Sequence, residues 1–366
     1  MDFILPKLYY LTMKVAITIP TLNRPDFVLR QFELYELMNS PHPMYILDSS
    51  NEENAEKLKE GIKKFKKLSI VYEWVPPGKD HTYSLLPLVK EKYCIQMGDD
   101  DLIIPKTISD CADFLESHSD YATCGGKQVN IRLRLEDYDK PRGIIGTQTM
   151  PFGRSIEHED MFARVRNFWS NPTFICFTVR RTEIERKIRN ITKHFSLLDY
   201  ATEFLIWSAL IIYGKAKVLD ELGYIMQLGN RYGWVDYSDI EWFMSSPVST
   251  AEKWKTMQNG LSEILQECGR SEEENPKIFR WVFTLYLIHQ FTSEIDSPAV
   301  FPFLTQKQSI SFKRNLSKKI RYFASSYPLF KKIYYQFKTP QDATRPESKY
   351  FNDFKVVKDF IENSRV

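Results

Sequence analysis

No run of apolar residues in this chain reaches the ~20 that a membrane-spanning helix requires; the longest, such as Phe204–Tyr213, fall well short of it. The opening MDFILPKLYYLTMK is apolar but short, carries Pro6 and lacks a small-residue cleavage pattern, so it is not read as a signal peptide. Five widely spaced cysteines form no C-x-x-C pair and no Cys/His cluster, which argues against a disulfide framework or a structural zinc site and favours a reducing, cytoplasmic setting. Internal repeats and low-complexity tracts are also missing. A net charge of only +3 implies no nucleic-acid partner. One local absence stands out: between Ser297 and Gln341 there is no acidic residue, while nine Lys and Arg fall between Lys307 and Lys338. Mixed with aromatics, as in Arg321-Tyr322-Phe323, that run suits either peripheral contact with an anionic membrane face through residues 307–338 or a solvated helical surface.

What is present divides the chain. Residues 1–13 form a short extension ahead of the first clear strand, KVAITIP (Lys14–Pro20). A polar turn, TLNRP, follows it, and then apolar residues recur at helical spacing through Met38. Further strands are expected at Met44–Leu47, Ser69–Val75 and Tyr93–Met97, with an exposed helix over Glu52–Lys67 and another over Tyr83–Lys90. Alternation at this pitch predicts an α/β fold with a mostly parallel sheet wrapped by helices. Beyond it the pattern predicts strands at Ala122–Leu135, Thr173–Arg180 and Lys217–Leu219, and a buried helix ended by Gly214. From residue 236 onward only helices are expected, as Thr250–Glu267, Pro276–Glu294 and the basic, aromatic-rich segment 297–341.

In open α/β sheets ligands bind beyond the carboxyl ends of the strands. Three polar clusters fall there: Thr21–Arg24, Asp48–Ser50 and the triplet Asp99-Asp100-Asp101 within YCIQMGDDDLIIP. Adjacent carboxylates at a strand end can cap a following helix, here Leu102–Cys111. They also suit Mg²⁺ or Mn²⁺, which takes a few carboxylate oxygens plus phosphate oxygens and water. In an extended chain Asp99 and Asp101 would share a side and Asp100 would face the other.

Together KVAITIPTLNRP, YILDSS and YCIQMGDDDLIIP, in this order, resemble the family 2 glycosyltransferases of GT-A fold, over residues 14–235. That resemblance implies a metal-dependent, inverting transfer of a sugar from a nucleoside-diphosphate donor, a UDP-sugar being favoured, to a glycan or lipid-linked glycan acceptor in bacterial surface glycan synthesis. It implies donor contacts from Thr21, Asn23, Arg24, Asp48 and Asp99, and metal ligation by Asp100 first, then Asp99 and Asp101. Gly98 stands where many relatives carry an acid. Within Lys79–Ser84, where many relatives place an Arg-Asn pair, this chain has Thr82 and Tyr83, leaving Lys79 or His81 as the candidate for donor contact, and Arg231, in a Gly-rich loop, is a further candidate for phosphate contact. Counting back from Gly214 lands on Glu203 as the general base, with Asp199 as the alternative. The bland readings are a first-turn acid for Glu203 and an N-cap for Asp199. A sugar nucleotidylyltransferase would want a Gly-rich phosphate loop where this chain has TLNRP. A non-catalytic docking protein on the same scaffold is the other alternative.

Overall fold

The computed structural model describes residues 14–76, 85–151, 153–173, 175–192, 200–229, 247–295, 343 and 345–363. One nine-stranded sheet organises the chain, in the order β3-β2-β1-β4-β8-β6-β9-β5, with β7 paired to β6. Its first half is wholly parallel: β1 (Val15–Thr21) lies between β2 (Met44–Asp48) and β4 (Tyr93–Gln96), and β3 (Ile70–Trp74) is added outside β2. Parallel strands are covered on both faces and therefore read as unbroken apolar runs, as in MYILD of β2, where every residue is buried. Register sets Thr21 opposite Asp48 and Asp48 opposite Trp74, so three strands end at one level. Helix α1 (Pro25–Leu37) starts with proline at its first position, where the missing N–H costs nothing. Helix α2 (Glu52–Ile62) is capped by the Asn51 side chain, which accepts from the Asn54 N–H at 3.0 Å.

The second half of the sheet is mixed. β8 (Val179–Arg181) runs antiparallel to β4 and to β6 (Tyr121–Leu133). Beside β6 lie β7 (Ile145–Thr149), antiparallel, and β9 (Lys215–Gln227), parallel. β5 (Leu102–Ile103) pairs with β9 through Leu102–Ile225 and Ile103–Tyr224. The acidic triplet is thus followed by a strand, and the helix expected from Leu102 begins instead at Pro105, as α3 (Pro105–Ser117). Three more expectations need correction. Residues 85–90 form turns rather than helix, because Pro87 interrupts the run. Residues 175–178 form a turn before a strand that starts only at Val179. The strand expected at Lys217–Leu219 extends to thirteen residues, since pairing with β6 carries it through the polar Asp220 and Glu221.

Among the described residues three apolar clusters hold the chain together, the smallest around Ala16, Tyr45, Leu47 and Leu85. Of the two larger, one surrounds β1, β2 and β4 and takes in α1, α3 and the closing helix α9 (Phe351–Glu362), through Phe354, Val357 and Ile361. The other joins α4 (Met161–Ser170), α5 (Thr182–Thr192) and α6 (Tyr200–Tyr213) to α7 (Pro247–Glu267) and α8 (Asn275–Ile295) around Trp169, Phe204, Phe279 and Phe283. Each such buried side chain contributes about 1.5–3 kcal/mol, and both clusters draw residues from either side of residue 235. Among the described residues no helix is long and apolar enough to cross a membrane. The segment 307–338 lies outside the described residues.

Candidate active site

The turn after β1 is locked to the turn after β2. Asn23 adopts φ 55°, a left-handed conformation that Asn tolerates better than most residues. Its N–H donates to Ser50 Oγ at 2.6 Å, and its side-chain oxygen accepts from the Asn51 N–H at 2.9 Å. Asp48 is fully buried. One of its oxygens accepts from the Ser50 N–H at 2.8 Å and the other from the Tyr72 hydroxyl at 2.9 Å. The Trp74 indole N–H donates to the Ser50 carbonyl at 2.9 Å. Asp48 and Trp74 therefore form a floor beneath these two turns, the Asp48 carboxylate engaged from within.

The triplet is not extended. Gly98–Asp101 form a turn closed by the Asp101 N–H on the Gly98 carbonyl at 3.4 Å. Asp99 consequently sides with Asp100, not with Asp101. Thr21 Oγ1 donates to Asp99 Oδ2 at 2.8 Å. Arg24 spans both acids, with Nη1 to Asp99 Oδ1 at 2.7 Å and Nη2 to Asp100 Oδ2 at 3.1 Å, while its guanidinium stacks 4.1 Å from the Phe27 ring centroid. Asp101 turns the other way, accepting from the Tyr224 hydroxyl and, at 3.0 Å, from the Gln227 N–H, both on β9.

Beneath the turn, α1 contributes two polar side chains in the middle of its buried face. Arg30 donates to the carbonyls of Asp100 and Pro141 and to Gln227 Oε1, each at 2.5 Å. Gln31 Nε2 donates to the carbonyls of Gly98 and Asp101, both at 2.8 Å. Sequence reasoning missed Arg30, Gln31, Tyr224 and Gln227. For the first two a signal existed: polar residues sit at buried positions between Phe27 and Tyr35, where helical periodicity asks for apolar ones.

Burial and crowding set the electrostatics. Asp99 is pushed up to about 6, first by burial, against the pull of Arg24, with the Asp100 charge adding to the rise. Asp101 is pushed up to about 8 by burial and then by Asp100, with the Tyr224 hydroxyl and Gln227 N–H opposing. Burial lowers Arg30 to about 10, while Asp100 and Asp101 help keep it charged. The turn is an acid cluster that gains from a cation.

Glu203 stands half-buried in the first turn of α6. Burial pushes the nearby Cys176 thiol up to about 11, with a smaller rise from the Glu203 charge. Phe177 stacks on Tyr224 with centroids 5.1 Å apart. Lys79, Asp199 and Arg231 lie outside the described residues.

Among the described residues no three His, Cys, Asp or Glu side chains are grouped to hold a metal by themselves. The donor set nonetheless fits a hard cation that brings phosphate oxygens and water as its remaining ligands. Asp100 is the most open of the three acids, with its side chain 21% exposed, beside Asp99. A Cβ at Gly98 would meet Asp100 Oδ1 at 2.9 Å and Asp101 Oδ2 at 3.0 Å, so the glycine leaves room where carboxylate oxygens converge. Asp101 is engaged on both oxygens by β9, and its Oδ2 still borders the space beside Asp100 at Gly98.

No model of a protein family matches the sequence, and no curated protein matches it significantly. Solved structures of similar layout include S. aureus TarS 1-349 in complex with UDP-GlcNAc, at TM-score 0.47 and 16% identity over 82% of this chain and 78% of that one. The mannosyltransferase PcManGT from Pyrobaculum calidifontis, in complex with GDP-Man and Mn²⁺, aligns at TM-score 0.39 and 9% identity over 96% of this chain and 88% of that one.

Proposed function

We propose that this chain is a glycosyltransferase that moves a sugar, with inversion, from a nucleoside-diphosphate donor to a hydroxyl acceptor. One observation carries the reading. The ends of β1, β2 and β4 bring Thr21, Arg24, Asp99 and Asp100 into a single cluster at the carboxyl edge of a parallel sheet, the place where such sheets take nucleotides. The Asp48–Trp74 floor would receive the base, and the Arg24 side the diphosphate. A divalent cation held by Asp100 and Asp99 would offset the charge that develops on the departing diphosphate. Glu203 would take the proton of the attacking hydroxyl, a contribution of about 10²–10⁴-fold in rate, with Asp199 as the alternative base. Lys79 and Arg231 are further candidates for donor contact. A UDP-sugar is the favoured donor and a glycan or lipid-linked glycan the favoured acceptor, reached from the cytoplasmic face of a membrane through residues 307–338.

Thermal unfolding with a panel of nucleoside diphosphates and nucleotide sugars, each with and without Mn²⁺, tests this. A donor at ~100 times its Kd adds about 2.7 kcal/mol of stability. The stabilisation is expected to depend on Mn²⁺, to vanish in Asp100→Asn and to persist in Glu203→Gln, which loses transfer alone. Lack of stabilisation by any nucleotide defeats the proposal.

A further inference from the structure

We propose that Arg24 is a resident counter-ion of the acid turn, which a divalent cation must displace, and that the displaced guanidinium is the group that then takes the donor diphosphate. The inference rests on the donor-site reading above and concerns what this arginine does within it. Arg24 splits its two Nη atoms between Asp99 and Asp100, at 2.7 and 3.1 Å, and so covers both carboxylates that a metal would use. A metal bridging these acids would approach the same two carboxylates, one oxygen of each held by the guanidinium, and two cations there repel, so they compete.

Two details suit Arg24 to leave. Its backbone stands at the N-cap of α1, but its side chain makes no capping hydrogen bond, so the helix does not depend on where the guanidinium points. Its side chain retains 11% exposure. Arg30 contrasts at each point: it is 2% exposed and bound to two backbone carbonyls and Gln227, and it contacts the Asp100 main chain, not its carboxylate. Arg30 therefore fixes the turn, whereas Arg24 balances it. A planar guanidinium matches diphosphate oxygens as well as carboxylates, so metal and nucleotide entering together give it a new partner as the old ones are taken. In the absence of nucleotide, metal binding is held back by its own arginine.

The test is Mn²⁺ binding, followed by electron paramagnetic resonance of the free ion, to the full chain with and without UDP. Without nucleotide, Arg24→Gln is expected to bind Mn²⁺ about tenfold more tightly than the wild type, within the usual range of coupling between sites. Arg24→Lys, which keeps a cation, is expected to stay near wild type. Weaker UDP binding by Arg24→Gln completes the expected pattern. Unchanged or weaker Mn²⁺ affinity in Arg24→Gln overturns the exchange, as does any gain that Arg24→Lys reproduces in full. A second measurement avoids substitution: in the wild type, the ¹⁵N side-chain signal of Arg24 should move when Mg²⁺ and UDP are added together, and a stationary signal contradicts the inference. If UDP does not bind the wild type at all, the donor-site reading fails. If UDP binds but Mn²⁺ affinity ignores Arg24, only the exchange fails.

Discussion

Gly98 sets how closely the acids of the turn can approach. A methyl at that position would lie about 3 Å from oxygens of Asp100 and Asp101, and Asp101 cannot swing away without giving up Tyr224 and Gln227. Gly98→Ala is therefore expected to cost about 1–3 kcal/mol, read as a lower midpoint in urea unfolding. Tyr224→Phe removes one donor from the buried Asp101 carboxyl and should cost a similar 1–3 kcal/mol, with a neighbouring exposed substitution such as Lys106→Ala as control. These residues mark the limit of what a linear reading could reach. Thr21, Arg24, Asp99 and Asp100 were legible because β-branched runs ended in polar clusters. The pairing within the triplet was not, since an extended chain puts Asp99 with Asp101, and only the closed turn puts it with Asp100.

Individual elements are fastened by buried polar groups that periodicity does not reveal. His42 precedes β2; its Nδ1 accepts from the Val15 N–H at 3.1 Å, and its Nε2 lies 3.0 Å from the Pro105 carbonyl and 3.1 Å from Ser109 Oγ. It links the start of β1 to the start of α3. Burial pushes its pKa down to about 4, against the Pro105 hydrogen bond and with a small contribution from Lys14. Because the folded value lies below the ordinary ~6.5, the unfolded chain binds a proton in this window that the folded chain refuses. The His42 contribution is thus full above about pH 6.5 and is lost toward pH 4, by roughly 3 kcal/mol, while Asp99 and Asp101, both raised, act in the opposite sense as pH falls. The His42 part is therefore read as a difference: urea unfolding of wild type and His42→Gln across that range should show a wild-type slope of stability against pH that is more positive by this one proton. Similarly, Glu185 on α5 lies 3.0 Å from Arg180 Nε on β8 and 2.6 Å from Arg189 Nε, all three buried. Removing its charge with Glu185→Gln strands two arginines and should cost about 3–5 kcal/mol, again by urea unfolding. The parallel half of the sheet was legible because helices cover both its faces. β5 was not, being two residues long and paired with a strand distant in sequence, and α4 and α5 were missed although their buried residues recur at helical spacing.

At the scale of the molecule, the parallel half of the sheet presents its strand ends as a floor, and β9 borders it through Tyr224 and Gln227. The closing helix α9 returns to the first core through Phe354, Val357 and Ile361, a placement that sequence spacing alone does not give. Gly214, which ends α6, also permits a close approach: a Cβ there would meet the backbone of Asp120 and Ala122 at 2.8 Å. If the chain is a glycosyltransferase as proposed, donor nucleotide binds between Asp48–Trp74 and Arg24–Asp100. A crystal structure of the full chain with UDP and Mn²⁺ is the decisive measurement. The base is expected over the Asp48–Trp74 floor, with the diphosphate and metal at Asp100. Nucleotide ordered elsewhere on the protein, or Mn²⁺ bound away from Asp99 and Asp100, rules the placement out.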